Sequence, residues 1–329
     1  MRAFGFKSNG GPEVFEAIDV PAPEPGPGQV LIEVAYAGVN FAEVQHRRGE
    51  FGEPDGAFGY DVSGLEASGT VVALGSEVRG LSVGDRVAAY LPAFGGYAEF
   101  VVSGADFVRP VAALPLADAA GVPCVYPTAF GVLTDAGRLR PGEDVLIHAA
   151  AGGVGSAAAR IARSLGARRV YGTVGSPGKQ DLAGQLGYDE LFVRDGFADA
   201  VREATDGRGV DLVLDPVGGP VRRASLEVLA AFGRLVAYGD LGRSGDWAAD
   251  VWDLWKSNRS VAGYNISDAA RRAPGTVGAH LANALAALAA GELRHEPPAI
   301  VPLAEVADVH RRFEAGQTSG KTVLRVAGG

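Results

Sequence analysis

From Ala150 to Gly155 the chain reads Ala-Ala-Gly-Gly-Val-Gly, small residues at the spacing by which a backbone can be brought against a phosphate. The dinucleotide fingerprint is G-x-G-x-x-G, and here its three places hold Ala150, Gly152 and Gly155, a partial match. Gly152 would let the backbone approach a pyrophosphate, and Gly155 would let helix and strand pack closely. Gly153 and Val154 would open the helix, whose free N–H groups and positive end favour an anion. About 20 residues on, an NAD site carries an Asp or Glu for the ribose 2′-hydroxyl. This chain has GTVGSPGK there, with Gly175 about where the acid would stand. Ser176 can hydrogen-bond a 2′-phosphate and Lys179 can neutralise it, whereas a carboxylate would repel it. The pattern favours NADPH over NADH. Lys179 also reads as a solvated residue in the first turn of a helix, and a glycine-rich hexamer alone is equally a structural turn.

The elements around the hexamer decide between these readings. DVLIHA is an apolar strand that leads into a helix from about Gly153 to Leu165. RVYGTV leads to a helix near Lys179 to Leu186, ELFV to one near Ala198 to Thr205, and VDLVLDPV to one near Val221 to Leu229; RLVAYG follows. Strands alternating with helices imply right-handed crossovers and a Rossmann, doubly wound parallel sheet of the α/β class, with ligand at the carboxyl ends of its strands. By that topology Asp215, ending the fourth strand, and Gly239, following the fifth, face a cofactor. His148 ends a strand beneath the loop. The first third is different: QVLIEVAYAGV, SGTVVALG, GDRVAAYL and YAEFVVSG are short β-rich runs between Gly/Pro turns, a β-sheet domain. PAPEPGPG (Pro21 to Gly28) reads as a stiff surface loop. The Ala-rich run from Ala279 reads as a helix stopped at Gly291. The tail ends in KTVLRVAG, another β-like run, and is expected to return to the first domain. The expected divisions are 1–122, 123–262 and 263–329.

Composition removes several classes of function. With 329 residues, 47% hydrophobic and 21% charged, the chain reads as globular and of about two domains. A net charge of -9 speaks against nucleic acid or anionic membrane as a partner. Cys124 is the single cysteine, which fits a cytoplasmic protein without disulfides. No leader segment or membrane-long apolar run is read. Histidines 46, 148, 280, 295 and 310 show no ligand spacing with Cys124, so no metal site is expected.

Taken in order, AYAGVNFAEVQHRRGEF, LEASGTVVALGSEVRGLSVGDRVAAY, GGYAEF, PTAF, HAAAGGVGSAAARIARSLGA, GTVGSPGK, VDLVLDPVGG, GRLVAYG and GKTVLRV resemble the zinc-independent quinone oxidoreductase, or zeta-crystallin-like, branch of the medium-chain dehydrogenase/reductase superfamily. The resemblance runs nearly end to end. It implies a GroES-like β-rich domain made of the N-terminal part and the tail, a Rossmann domain between them, a cleft holding NADPH, and a homodimer whose Rossmann sheets meet edge to edge. Zinc alcohol dehydrogenases of the same superfamily carry an early Cys, where this chain has Asn40, a Gly-His-Glu, and a four-Cys lobe; none of these is present.

Without a Lewis acid, the remaining chemistry is hydride transfer to an already electrophilic carbon of a quinone or an α,β-unsaturated carbonyl. By their family counterparts, Asn40 would donate an amide hydrogen bond near the nicotinamide and Thr128 would line the same pocket; the lesser alternative for each is a polar residue capping a turn or helix end. Where the family often has a Tyr, five residues after the Asn, this chain has Gln45, and a second aromatic place holds Phe51. Gln45 keeps hydrogen bonding but loses the ring, which puts quinone stacking in doubt. Tyr60 or Tyr126 could supply a phenol or simply pack, and Lys321 could approach the cleft or merely start a strand. The substrate pocket is expected to depend on loops such as Glu50 to Gly59 and on the region Asp246 to Asn265. A biosynthetic enoyl reductase acting on an enoyl thioester, and a crystallin-like NADPH-binding protein with little turnover, remain open. A methyltransferase is disfavoured by Gly175, because an adenosylmethionine site wants an acid there.

Overall fold

The computed structural model describes residues 1–326 except 55, 57, 58, 112, 243, 244 and 246. Two compact units divide it, one made of Met1–Pro127 with Ala270–Gly329 and one of Thr128–Ala269. The divisions thus fall at 127/128 and 269/270, later than the expected 122/123 and 262/263, because the helix Val125–Phe130 carries the chain across the first boundary.

The second unit is built on six parallel strands in the order Glu190–Val193, Arg169–Val174, Asp144–Ile147, Val210–Asp215, Leu229–Ala237, Ser260–Gly263. Numbered along the chain this is 3-2-1-4-5-6, the doubly wound order whose direction reverses between the first and fourth strands. Val145, Leu146 and Ile147 are completely buried, as an apolar strand covered on both faces should be. The helix Gly153–Ser164 buries Gly155, Ala157, Ala158, Ala159, Ile161 and Ala162, so small side chains let it lie close to the sheet. Helices Phe197–Ala204 and Gly219–Glu227 follow the third and fourth strands. One expected helix differs: near Lys179 the chain forms a 3-10 segment, Pro177–Leu182, and then a single α turn, Ala183–Leu186. Pro177 supplies no backbone donor and Gly178 and Gly184 weaken a longer helix.

The first unit carries a seven-stranded sheet, centred on the long strand Gln29–Val39. Val30, Ile32 and Val34 alternate inward from this strand and join Val71, Val87 and Leu91 in one core. The final strand, Thr322–Arg325, pairs antiparallel with the end of Gln29–Val39, Thr322 opposite Val39. A three-stranded sheet joins Glu16–Asp19, Arg2–Phe6 and Asp61–Val62. The Ala-rich run is the helix Pro274–Ala289, and Gly291 beyond it has the left-handed φ of a helix stop. No helix of the described residues is long and apolar enough to cross a membrane. Of the segments expected to shape a substrate pocket, 55, 57 and 58 of Glu50 to Gly59 and Asp246 of the second lie outside the described residues, as do 327–329 of the final β-like run; the second segment holds the helix Val251–Ser257 and the strand Ser260–Gly263.

Candidate active site

At the carboxyl end of the first strand the chain turns through Ala149, whose φ is +53°, and enters the helix at Gly152. No side chain caps that helix, so its first N–H groups are open to an anion. A Cβ built on Gly152 would meet only the Ala149 carbonyl oxygen, at 3.2 Å, leaving room above it for a ligand. At Gly155 a Cβ would come to 2.5 Å from the Ala149 carbonyl oxygen and 2.9 Å from Ala150 Cα, so glycine alone permits the loop to fold back on its helix. Ala150, in the first fingerprint place, is fully buried. Tyr188 holds the loop from below, its hydroxyl donating to the carbonyl oxygen of Gly155 at 2.8 Å. These residues fit a dinucleotide pyrophosphate.

His148 is buried beneath this loop. Ser225 Oγ donates to Val221 O at 2.7 Å, so it accepts from His148 Nε2 at 2.8 Å, and His148 Nδ1 accepts from Thr173 Oγ1 at 2.7 Å. Burial pushes its pKa down to about 4, with the Arg194 cation acting the same way and Asp215 opposing. It is a neutral structural histidine.

At the second strand's end Gly175 and Ser176 are exposed, and Ser176 precedes the 3-10 segment without capping it. Lys179 lies within that segment. Register adds a residue that sequence reading missed. Val174 pairs with Val193, so Arg194 follows beside Gly175, and a Cβ on Gly175 would lie 3.0 Å from an Arg194 guanidinium nitrogen. Gly175, Ser176, Lys179 and Arg194 are thus gathered at two neighbouring strand ends.

Asp215 does not face outward as expected. Its Oδ1 accepts from the backbone of Val217 (2.7 Å) and Gly218 (3.1 Å), and its Oδ2 accepts from Arg222 Nε at 2.7 Å. Arg222 also donates to the Gly239 carbonyl oxygen at 2.6 Å. The carboxylate therefore shapes its own turn and, through Arg222, ties the Gly239 turn to it. Asp215 is a positioning residue.

The first unit holds a second constellation. Asn40 precedes the helix Phe41–Arg47, and Glu43, three residues on, accepts from the Asn40 backbone N–H at 2.8 Å. The Asn40 Nδ2 group donates to Glu43 Oε1 (3.2 Å) and Glu66 Oε1 (2.9 Å), while Oδ1 accepts from Lys321 Nζ (2.6 Å). Lys321 also pairs with Glu66 and donates to Val39 O (2.9 Å), and Glu66 Oε2 accepts from the Cys124 backbone N–H (2.8 Å). Glu43 and Glu66 are completely buried. Burial pushes Glu43 up to about 7, against the pull of the Lys321 cation. Both amide protons of Asn40 are engaged within this cluster, so the expected outward amide donor is instead a residue held on three sides. Glu43 was not singled out from the sequence, where the spacing Asn40-x-x-Glu43 is the signal that could have found it; the partnership with Glu66 and Lys321 has no such local signal.

Within the first unit, Gln45 and Tyr60 lie in different neighbourhoods. Gln45 Nε2 donates to Glu50 at 2.9 Å. Tyr60 turns to a different neighbourhood, donating to Glu16 at 3.2 Å with Lys7 over its ring at 4.6 Å. Tyr60 thus packs between surface charges rather than joining Asn40, because the strand Asp61–Val62 draws it towards Arg2–Phe6. Thr128 is buried in the second unit, on the helix Val125–Phe130. Phe51 is exposed and Tyr126 buried.

Comparison with known proteins agrees with this architecture. Residues 26–113 match the alcohol dehydrogenase GroES-like domain and residues 153–281 the zinc-binding dehydrogenase family. A component of the phenolphthiocerol/phthiocerol polyketide synthase of Mycobacterium tuberculosis is 36% identical over 304 residues, 91% of this chain. The chain spans 14% of the length of that curated relative. A quinone oxidoreductase of Pseudomonas syringae superposes with a TM-score of 0.89 at 31% identity, covering 98% of this chain and 99% of that one. The CurK enoyl reductase superposes with a TM-score of 0.86 at 27% identity, covering 99% of each chain.

Proposed function

The chain belongs to the medium-chain dehydrogenase/reductase superfamily, in its zinc-independent branch, and we propose that it is an NADPH-dependent reductase of quinones or α,β-unsaturated carbonyl compounds. One observation supports the reading: the loop closed by Gly155 stands beside a second strand whose end presents Gly175, Ser176 and Lys179 instead of an acid, with Arg194 beside them from the end of the third strand. The bound nicotinamide would supply a hydride. The first turn of the helix Gly153–Ser164 would hold the pyrophosphate, and Ser176, Lys179 and Arg194 would hold the 2′-phosphate. The turn at Asp215, tied through Arg222 to Gly239, would keep two strand ends rigid where the nicotinamide half binds. The buried group of Asn40, Glu43, Glu66 and Lys321 would fix the first helix of the GroES-like unit.

A second reading, an enoyl reductase acting on a thioester, is favoured by the match to polyketide synthases. A panel of enals, enones, quinones and enoyl thioesters, followed by loss of NADPH absorbance, separates the two and tests both. Consumption with at least one conjugated acceptor is expected. NADPH bound but never consumed would overturn the reductase reading and leave a binding protein. Sedimentation tests the homodimer that the family suggests.

A further inference from the structure

Tyr264 continues the sixth strand, its backbone N–H donating to Ala237 O at 2.9 Å, one residue beyond the Ala237–Gly263 pair. This is the carboxyl end of the fourth-to-sixth-strand half, the nicotinamide side of a 3-2-1-4-5-6 sheet. The ring lies directly on Gly131: a Cβ there would overlap Cε2, Cζ and the hydroxyl oxygen of Tyr264. Gly131 needs no left-handed φ, so its missing side chain serves the phenol. It also opens a π-helical turn, Gly131–Ala136, a widened backbone of the kind often found at functional sites. Thr128 stands three residues earlier, on the same helical face. The phenol is half-buried. Tyr238, the other phenol at these strand ends, is pushed up by burial and by the Asp215 carboxylate, which opposes release of its proton.

We propose that Tyr264 is a catalytic proton donor whose hydroxyl hydrogen-bonds the carbonyl oxygen of the substrate; this rests on the reductase reading above. As hydride brings its electron pair to the conjugated carbon, a C–H bond forms and the π electrons move onto the carbonyl oxygen. The Tyr264 O–H bond breaks and its proton bonds that oxygen, giving an enol or a hydroquinone. Water returns a proton to the phenolate, and an enol then tautomerises to the saturated ketone.

Tyr264→Phe keeps the ring on Gly131 and removes only the hydroxyl. It is expected to lower kcat about 100-fold, as loss of a general acid does, with NADPH affinity unchanged. A second readout needs no turnover: with oxidised cofactor bound, an aryl enone should show a red-shifted absorption when its carbonyl accepts a hydrogen bond. The shift should appear with the unaltered protein and vanish with Tyr264→Phe. Gly131→Ala, which displaces the phenol, should lose it too. A Tyr264→Phe protein that keeps both kcat and the red shift overturns the proposal. If the unaltered protein reduces no acceptor, the reductase reading fails, while the red shift still decides whether Tyr264 meets the carbonyl.

Discussion

The two ends of the six-stranded sheet use charge in opposite ways. At the amino ends, Asp144 accepts from Arg168 (2.6 and 2.9 Å) and Arg208 (2.6 Å), Asp211 accepts from the Asp144 backbone (2.8 Å), and Glu143 pairs with Arg234 (2.6 Å). Every one of these groups answers another within the unit. At the carboxyl ends, the open first turn of a helix, Gly175, Ser176, Lys179 and Arg194 are gathered, and the Asp215 carboxylate is turned inward. A closed charge network stabilises; a convergent, electropositive one recruits a ligand. Parallel strands make the division possible, because every strand delivers its following loop to the same end.

The contrast can be broken from either side. Gly155→Val should do most: the added atoms meet the Ala149 carbonyl oxygen, and NADPH affinity should fall by at least about 100-fold, roughly 2.7 kcal/mol, in a fluorescence titration. Lys179→Ala and Arg194→Ala should each weaken NADPH by about 1.5–3 kcal/mol while sparing NADH, since a charge-assisted phosphate contact is lost. Equal losses for both cofactors would remove these residues from the 2′-phosphate. At the opposite end, Asp144→Asn should lower the urea unfolding free energy by about 1–2 kcal/mol, because its half-exposed arginine partners regain water, and NADPH affinity should not change. The smallest effect concerns His148, buried beneath the loop at the carboxyl end. The folded chain holds it neutral down to about 4, whereas the unfolded chain takes up a proton below the ordinary 6.5. Its contribution is therefore complete above about pH 6.5 and lost as pH falls towards 4, roughly 1 kcal/mol by pH 5.5. A urea series across that window should be flatter for His148→Gln than for the unaltered chain.

What could be read from the sequence was local. An apolar strand, a glycine turn and a helix rich in small residues lie within one stretch, so the loop and the sheet class were legible from Asp144 to Ser164. Gly155 was legible for the same reason. Arg194 was not, because only strand register sets it beside Gly175, and a one-dimensional pattern carries no register. The π-helical turn at Gly131 has no periodic signature of its own, and so Tyr264 went unremarked. Asp215, Gln45 and Tyr60 were read by residue type and place; each has a nearby charged partner that redirects it.

The final strand has a consequence for how the molecule is made. Lys321 meets Val39 across a separation of 282 positions in sequence, and Thr322–Arg325 completes a sheet whose central strand was synthesised long before. Thr128–Ala269 is contiguous and can assemble as soon as it leaves the ribosome, whereas the GroES-like unit must wait with the edge of Gln29–Val39 uncovered and the Glu66 carboxylate without its lysine. Within this sequence the contiguous unit is fully synthesised before the GroES-like unit receives its last strand.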